Sequence, residues 1–215
     1  MLKKLADSRW FLQLNRYLYV LTEQQERHMK VDRRYEFEGP VRFAVWDDMV
    51  AVANESDKLV KFFDVSQLLS EGSETTLDHL VPKHIYKNWK KVTTIHPMNF
   101  EAKDDKDSKR KIKGVLIADK VGEVYFLNLD NLEKLPKDPE IIPGKNEAPE
   151  SYDYVAKLVY GHQQTCTFLN TSSCGRFLIS VDTLNKVIVN NFPNMFNLQS
   201  VSTEQQSEIK DCIQV

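Results

Sequence analysis

One short phrase is written three times along this chain: Ala53-Asn54-Glu55-Ser56-Asp57-Lys58-Leu59-Val60, Ala118-Asp119-Lys120-Val121-Gly122-Glu123-Val124-Tyr125 and Val181-Asp182-Thr183-Leu184-Asn185-Lys186-Val187-Ile188. Internal repetition restricts a fold more than any single residue does, because every copy must form the same local unit. Each copy carries an apolar run into Asn or Asp, passes two variable positions and reaches a turn residue (Asp57, Gly122, Asn185). A charged residue follows (Lys58, Glu123, Lys186), then a second apolar run. Asp, Asn and Gly tolerate the left-handed backbone of a tight reversal, and the flanking residues favour strands. Three β-hairpins are therefore predicted.

A weaker fourth copy, Phe11 to Val20, places Asn15 at the turn, 42 residues before Asp57. That interval fits one blade of a WD-repeat propeller, about 40 to 45 residues. The next two intervals are 65 and 63 residues, so each blade there must also carry an insertion. The expected fold is all-β: an incomplete WD-repeat β-propeller of about three to four blades, each a four-stranded antiparallel sheet.

The rest of the chain supports a folded, non-membrane protein. With 215 residues, 41% hydrophobic and 28% charged, it can bury a substantial core. The formal charge of -2 argues against a uniformly basic nucleic-acid binder but leaves room for a local basic face. Cys166, Cys174 and Cys212 form an odd set without CxxC spacing, which points away from a disulfide framework or structural zinc and suits a reducing compartment. Asp7 and Arg9 break the basic N-terminus before any long apolar run, so neither a signal peptide nor a membrane span is expected.

Residues 1–40 read as the strands of a partial N-terminal blade, and 41–201 as consecutive WD-type blades. Insertions are expected near 66–82, 98–113 and 130–152, followed by an incomplete C-terminal segment over 202–215. In the second insertion Pro97 is expected to end a strand, and Glu101 to Lys113, with six basic and four acidic residues, reads as a mobile loop. In the third, four prolines between Asn131 and Glu150 preclude a persistent regular element. Gly161-His162 follows a strand about 23 residues before the turn at Asn185, where the imidazole can bond across the blade to a carboxylate in the turn. His162 and Asp182 are the expected structural tie, with a solvent-exposed histidine as the alternative.

The wording of the second and third copies is similar to a known family. Ala118-Asp119-Lys120-Val121-Gly122-Glu123-Val124-Tyr125 resembles the Ala-Asp-Lys-x-Gly-x-Val-Tyr stretch of the WD-repeat, non-catalytic subunit of the eukaryotic tRNA (guanine-N7)-methyltransferase. In that family a strand, a Gly-His and a blade with an Asp-Arg-Asp-Glu-Lys-Ile-Arg motif follow, with an aromatic-Pro pair close behind. Here Leu158 to His162, Arg176 to Val189 and Phe192-Pro193 stand in the same order. The resemblance runs from about Val41 to Leu198 and is most specific over residues 115–198.

It implies an accessory subunit and no enzyme. Such a subunit forms a heterodimer with the catalytic methyltransferase, supports its active conformation and helps hold tRNA while N7-methylguanosine is made. The nucleus is the implied location, with the cytoplasm second. No cofactor is implied, S-adenosylmethionine belonging to the partner. Carried over by position, the partner-binding candidates are Asp182, Asn185, Lys186 and Ile188. Asp182 and Lys186 match the family; Thr183, Leu184 and Asn185 replace Arg, Asp and Glu, and Ile188 replaces the last basic residue. Most of the ionic docking set is therefore substituted.

Lys109, Arg110, Lys111 and Lys113 are the candidates for RNA contact through phosphate neutralisation, against the plainer reading of a solvated loop balanced by Asp104, Asp105 and Asp107. Trp89-Lys90-Lys91 invites base stacking, but a Trp beside a strand reads more simply as blade packing. No catalytic or metal-ligating set is found. The chain has no G-x-S-x-G elbow and no Gly-rich strand-to-helix loop, and Asp47-Asp48 and Asp104-Asp105 lack further oxygen ligands at ordered spacing. A generic WD-repeat scaffold for another assembly, such as ribosome biogenesis, is the alternative function.

Overall fold

The computed structural model describes residues 2–4, 8–24, 28–46, 48–55, 57–69, 80–103, 109–135, 155–173, 175–192 and 196–202. They form four antiparallel sheets of four strands each. The first sheet holds β1 (Leu2–Lys4), β2 (Arg9–Leu14), β3 (Tyr17–Glu23) and β4 (Met29–Glu36). The second holds β5 (Val41–Val45), β6 (Met49–Asn54), β7 (Leu59–Asp64) and β8 (His84–Lys87). The third comprises β9 (Val92–Lys103), β10 (Lys109–Asp119), β11 (Glu123–Asn128) and β12 (Ala156–Gly161). The fourth comprises β13 (Cys166–Thr171), β14 (Phe177–Asp182), β15 (Lys186–Asn191) and β16 (Phe196–Ser202). Helical structure is confined to α1 (Val65–Leu69) and a 3-10 helix, Leu129–Lys134, among the described residues.

Each sheet is a meander in chain order, and the first strands β5, β9 and β13 of successive sheets touch one another. The sheets consequently stack face to face, and the core is a series of sheet-to-sheet interfaces. Phe11 and Leu18 of the first sheet pack with Phe43 and Val50 of the second. Phe62 and Tyr86 of the second pack with Ile95, Ile117 and Leu127 of the third, and Leu116 and Phe126 of the third pack with Leu169 and Leu178 of the fourth. This explains the unbroken apolar run Val115 to Ala118: β10 is covered on both faces, so both sets of alternating side chains are buried. Gly114 belongs to the same packing, since a Cβ there would sit 2.1 Å from the Phe126 ring.

The four hairpins of the repeat are β2–β3, β6–β7, β10–β11 and β14–β15. Asn15, Gly122 and Asn185 have left-handed backbones, with φ of 52°, 93° and 59°. Asp57 is not among the positive-φ residues, although its N–H closes the same turn onto the Asn54 carbonyl at 3.2 Å.

Two readings of the sequence change. Residues 1–40, read as part of a blade, contain all four strands of a sheet. The outermost, β4, is exposed along most of its length and so lacks the apolar alternation that would announce it. Nor does Pro97 end its strand. β9 continues to Lys103 and pairs with β10 from Lys109, so the described part of the charged segment 101–113 is hairpin. As the sheet's edge, β9 needs no hydrogen bond on its outer side, and an edge strand tolerates proline. The remainder of that segment, 104–108, lies outside the described residues, as do 70–79, 136–154 and 203–215 of the other anticipated insertions and tail.

Candidate functional site

The β14–β15 turn is organised by one carboxylate. Asp182 Oδ1 accepts the N–H groups of Leu184 (2.9 Å) and Lys186 (3.0 Å), while its main-chain carbonyl accepts the Asn185 N–H at 2.9 Å. Asp182 Oδ2 lies 3.3 Å from His162 Nδ1, and His162 Nε2 lies 2.8 Å from Ser180 Oγ. The side chains of His162 and Asp182 are 0% and 2% exposed. Burial lowers the His162 pKa, against the opposing attraction of Asp182. A neutral imidazole donating from Nδ1 to Asp182 and accepting the Ser180 hydroxyl at Nε2 satisfies both ring nitrogens. The imidazole thus binds the connection from β12 to β13 onto the turn of the next hairpin.

That geometry divides the four partner-binding candidates. Asp182, Asn185 and Ile188 are buried, and the Asp182 carboxylate already serves the turn and His162. Lys186 is partly exposed, and the outward-facing members of the turn are Thr183 and Leu184, the latter 67% exposed. The replacement of charge by Asn185 and Ile188 therefore falls at interior positions, where an unpaired charge is costly.

The β10–β11 turn repeats the design. Asp119 Oδ1 accepts the N–H groups of Val121 (3.0 Å) and Glu123 (3.1 Å), its carbonyl accepts the Gly122 N–H, and Oδ2 is 3.3 Å from Asn88 Nδ2. Buried Asn88 occupies the place of His162. Its main-chain N–H donates to the Lys58 carbonyl of the preceding hairpin as that of His162 donates to Gly122, and the Tyr86 hydroxyl donates to its Oδ1 at 3.1 Å. Asn88, Tyr86 and Ser180 are missing from the sequence-based candidates. Tyr86-x-Asn88 and Tyr160-x-His162 share one spacing, which was the available signal.

The RNA-contact candidates lie on the opposite end of the third sheet, because β10 runs from Lys109 to the Asp119 turn. Lys109, Arg110, Lys111 and Lys113 face Lys103, Ala102, Glu101 and Asn99 in the register. Lys111 is exposed. Lys113 reaches Asp48 at 3.9 Å, a solvent-exposed pair that water and salt screen.

Cys166 is fully buried, and burial pushes its thiol up to about 12, so it is packed as an apolar residue and is not poised as a nucleophile. Among the described residues no group of three or more His, Cys, Asp or Glu side chains is placed to hold a metal ion, and no helix is long and apolar enough to cross a membrane.

Four stacked, four-stranded antiparallel sheets, two of them with carboxylate-centred turns, are consistent with an incomplete WD-repeat propeller. Over 151 residues the chain is 24% identical to the tRNA (guanine-N(7)-)-methyltransferase non-catalytic subunit wdr4 of Dictyostelium discoideum. The match covers 69% of this chain and 27% of that relative, so the chain matches only about a quarter of the relative's length. No family model matches the chain.

Proposed function

We propose that this chain is a non-catalytic WD-repeat subunit that binds and stabilises the methyltransferase forming N7-methylguanosine in tRNA, and that tRNA is held through the complex. The observation that carries this reading is the similarity to a relative named as such a subunit, on a fold of stacked propeller-type blades. Docking is assigned to the exposed side of the β14–β15 turn, at Thr183, Leu184 and Lys186. The β9–β10 lysines are assigned to tRNA. The nucleus is the proposed place of action, checked by imaging the tagged chain.

The test is co-expression with the methyltransferase subunit of the same organism, followed by co-purification and an assay of guanine-N7 methylation of tRNA. Stimulated methylation by a co-purifying pair is expected; the absence of both association and stimulation would overturn the reading. Lys186→Glu should weaken pairing at least about tenfold, since charge reversal at a docking contact is costly. Retained pairing would move the interface elsewhere. Lys109→Ala with Arg110→Ala should lower tRNA retention and leave pairing intact. The burial of Asp182, Asn185 and Ile188, together with the substituted charges, favours as second reading a WD-type scaffold for a different assembly. Recovery of the chain with other proteins, and without the methyltransferase, would support it.

A further inference from the structure

The hairpin turns and the connections between sheets share one face, and on one part of it the backbone is joined edge to edge through lysine-bearing segments. The Asn88 N–H donates to the Lys58 carbonyl at 2.8 Å, the Lys120 N–H to the Lys91 carbonyl at 2.9 Å, and Thr165 Oγ1 to the Lys120 carbonyl at 2.6 Å. Lys58, Lys90, Lys91 and Lys120 are all exposed, and Trp89 between them is 38% exposed. Buried Asn88, held by Tyr86 and Asp119 and donating to the Lys90 carbonyl at 3.0 Å, fixes the loop that carries Trp89, Lys90 and Lys91.

Among the described residues no salt bridge joins these lysines to the neighbouring acids, which are engaged elsewhere. Asp119 is buried in its turn, Glu123 accepts the Tyr125 hydroxyl, Asp57 accepts the Leu59 N–H, and Glu55 pairs with Arg42 at 2.8 Å. Four exposed lysines from three loops joined by hydrogen bonds therefore share one end of the sheets, on a chain whose formal charge is -2.

We propose that the strip from Lys58 to Lys120 binds an unpaired stretch of RNA, its lysines along the phosphates and Trp89 stacked under a base. Lysine is depleted from the cores of protein interfaces, whereas exposed cations beside an aromatic platform suit single-stranded nucleic acid. The choice of RNA rests on the tRNA-related reading above. The site itself is new and lies at the end of the third sheet opposite Lys109 and Lys111.

The test is anisotropy with the full chain and labelled probes, a 12-nucleotide oligouridine and a tRNA transcript, across a salt series. Replacing Lys58, Lys90, Lys91 and Lys120 by Ala should reduce the slope of log K against log salt by about 3, at about 0.7 per phosphate contact. Trp89→Ala should weaken binding about tenfold with the slope unchanged, and Trp89→Phe should recover part of the loss. Quenching of indole fluorescence by oligouridine should disappear in Trp89→Phe. Lys30→Ala with Arg34→Ala, on the first sheet, should change neither slope nor affinity. Undiminished RNA binding by the four-lysine variant would overturn the inference. So would tighter binding of polyglutamate than of RNA, which marks a site for acidic protein. Co-purification of the same variants with the methyltransferase separates the two ideas. Loss of RNA with retained pairing supports the strip, while retained RNA with lost pairing makes it a protein-docking surface and leaves the subunit reading standing.

Discussion

The turns at Asp119 and Asp182 are two solutions to one problem. In each, Oδ1 takes two backbone N–H groups, the main-chain carbonyl closes the reversal, and Oδ2 faces a side chain from the loop that enters the sheet, at 3.3 Å. They differ in that partner and in the residue at left-handed φ. Asp119 has the amide of Asn88 and a glycine, Gly122; Asp182 has the imidazole of His162 and an asparagine, Asn185. The sequence position of the carboxylate is thus dictated by the turn, whereas its partner is interchangeable provided that it can donate one hydrogen bond. The β6–β7 turn marks the limit of the design. Asn54 stands in place of the aspartate, and the residue in the loop position of Asn88 and His162 is Phe37, whose N–H donates to the Arg16 carbonyl.

The strongest way to break the comparison is to remove each carboxylate. Asp182→Ala strands two N–H groups and the His162 Nδ1–H, and should cost about 3 to 4 kcal/mol of stability in chemical unfolding, since buried donors left unpaired cost about 1 to 3 kcal/mol each, partly recovered by water. Asp119→Ala should cost less, about 2 kcal/mol. Its carboxylate is held with a raised pKa, chiefly by burial and against the help of its N–H donors, so its removal also relieves a desolvation penalty. Equal losses would show that burial of the Asp119 carboxylate carries no such penalty.

A smaller effect separates the left-handed positions. At Gly122 an added Cβ would stand 2.3 Å from the Gln164 carbonyl oxygen and 2.7 Å from that of His162, both backbone atoms that a rotamer change cannot move. Gly122→Ala should therefore cost at least about 2 kcal/mol, the left-handed penalty of about 1 to 2 kcal/mol plus the clash. Asn185→Gly removes a side chain at φ 59° and should change stability by less than about 1 kcal/mol. The measurement is the denaturation midpoint at constant slope. A tolerated Gly122→Ala would mean that the His162 loop can retreat, and that the two turns are alike after all.

What was legible in the sequence follows the same division. Turn chemistry is local, so Asn15, Gly122 and Asn185 stand out without any knowledge of packing. Strands covered on both faces, such as Val115 to Ala118, also declare themselves. The exposed strand β4 does not, and the β9–β10 extension was obscured because its charged residues outweigh the alternation Met98, Phe100 and Ile112 in composition. The Asn88 tie was harder to read for another reason. Amide and imidazole serve the same geometric role, and beyond the shared Tyr-x spacing it is the backbone bond from Asn88 to Lys58 that reveals the equivalence. At the candidate docking turn, charge pattern gave no information on direction: Asp182, Asn185 and Ile188 are buried, and the Asp182 carboxylate is held by the Lys186 N–H of its own turn.

The finest distinction between the turns is their response to pH, and it has opposite signs. The folded His162 has a lowered pKa, with burial as the main cause, so an unfolded chain takes up its proton first. The stability associated with a neutral His162 is complete above the ordinary value near 6.5 and is lost as pH falls toward the lower folded value, with a slope of at most about 1.4 kcal/mol per pH unit. Asp119 has a raised folded pKa, so its contribution is complete below the ordinary value of 3.8 and is lost as pH rises through the folded value. Converting the histidine turn to the amide kind isolates the first effect: the stability of wild type minus that of His162→Asn should decline as the medium is acidified below pH 6.5. The corresponding difference for Asp119→Asn should increase toward acid. If the His162→Asn difference is flat across that window, the imidazole is not held neutral by burial, and the turns at Asp119 and Asp182 differ in shape alone.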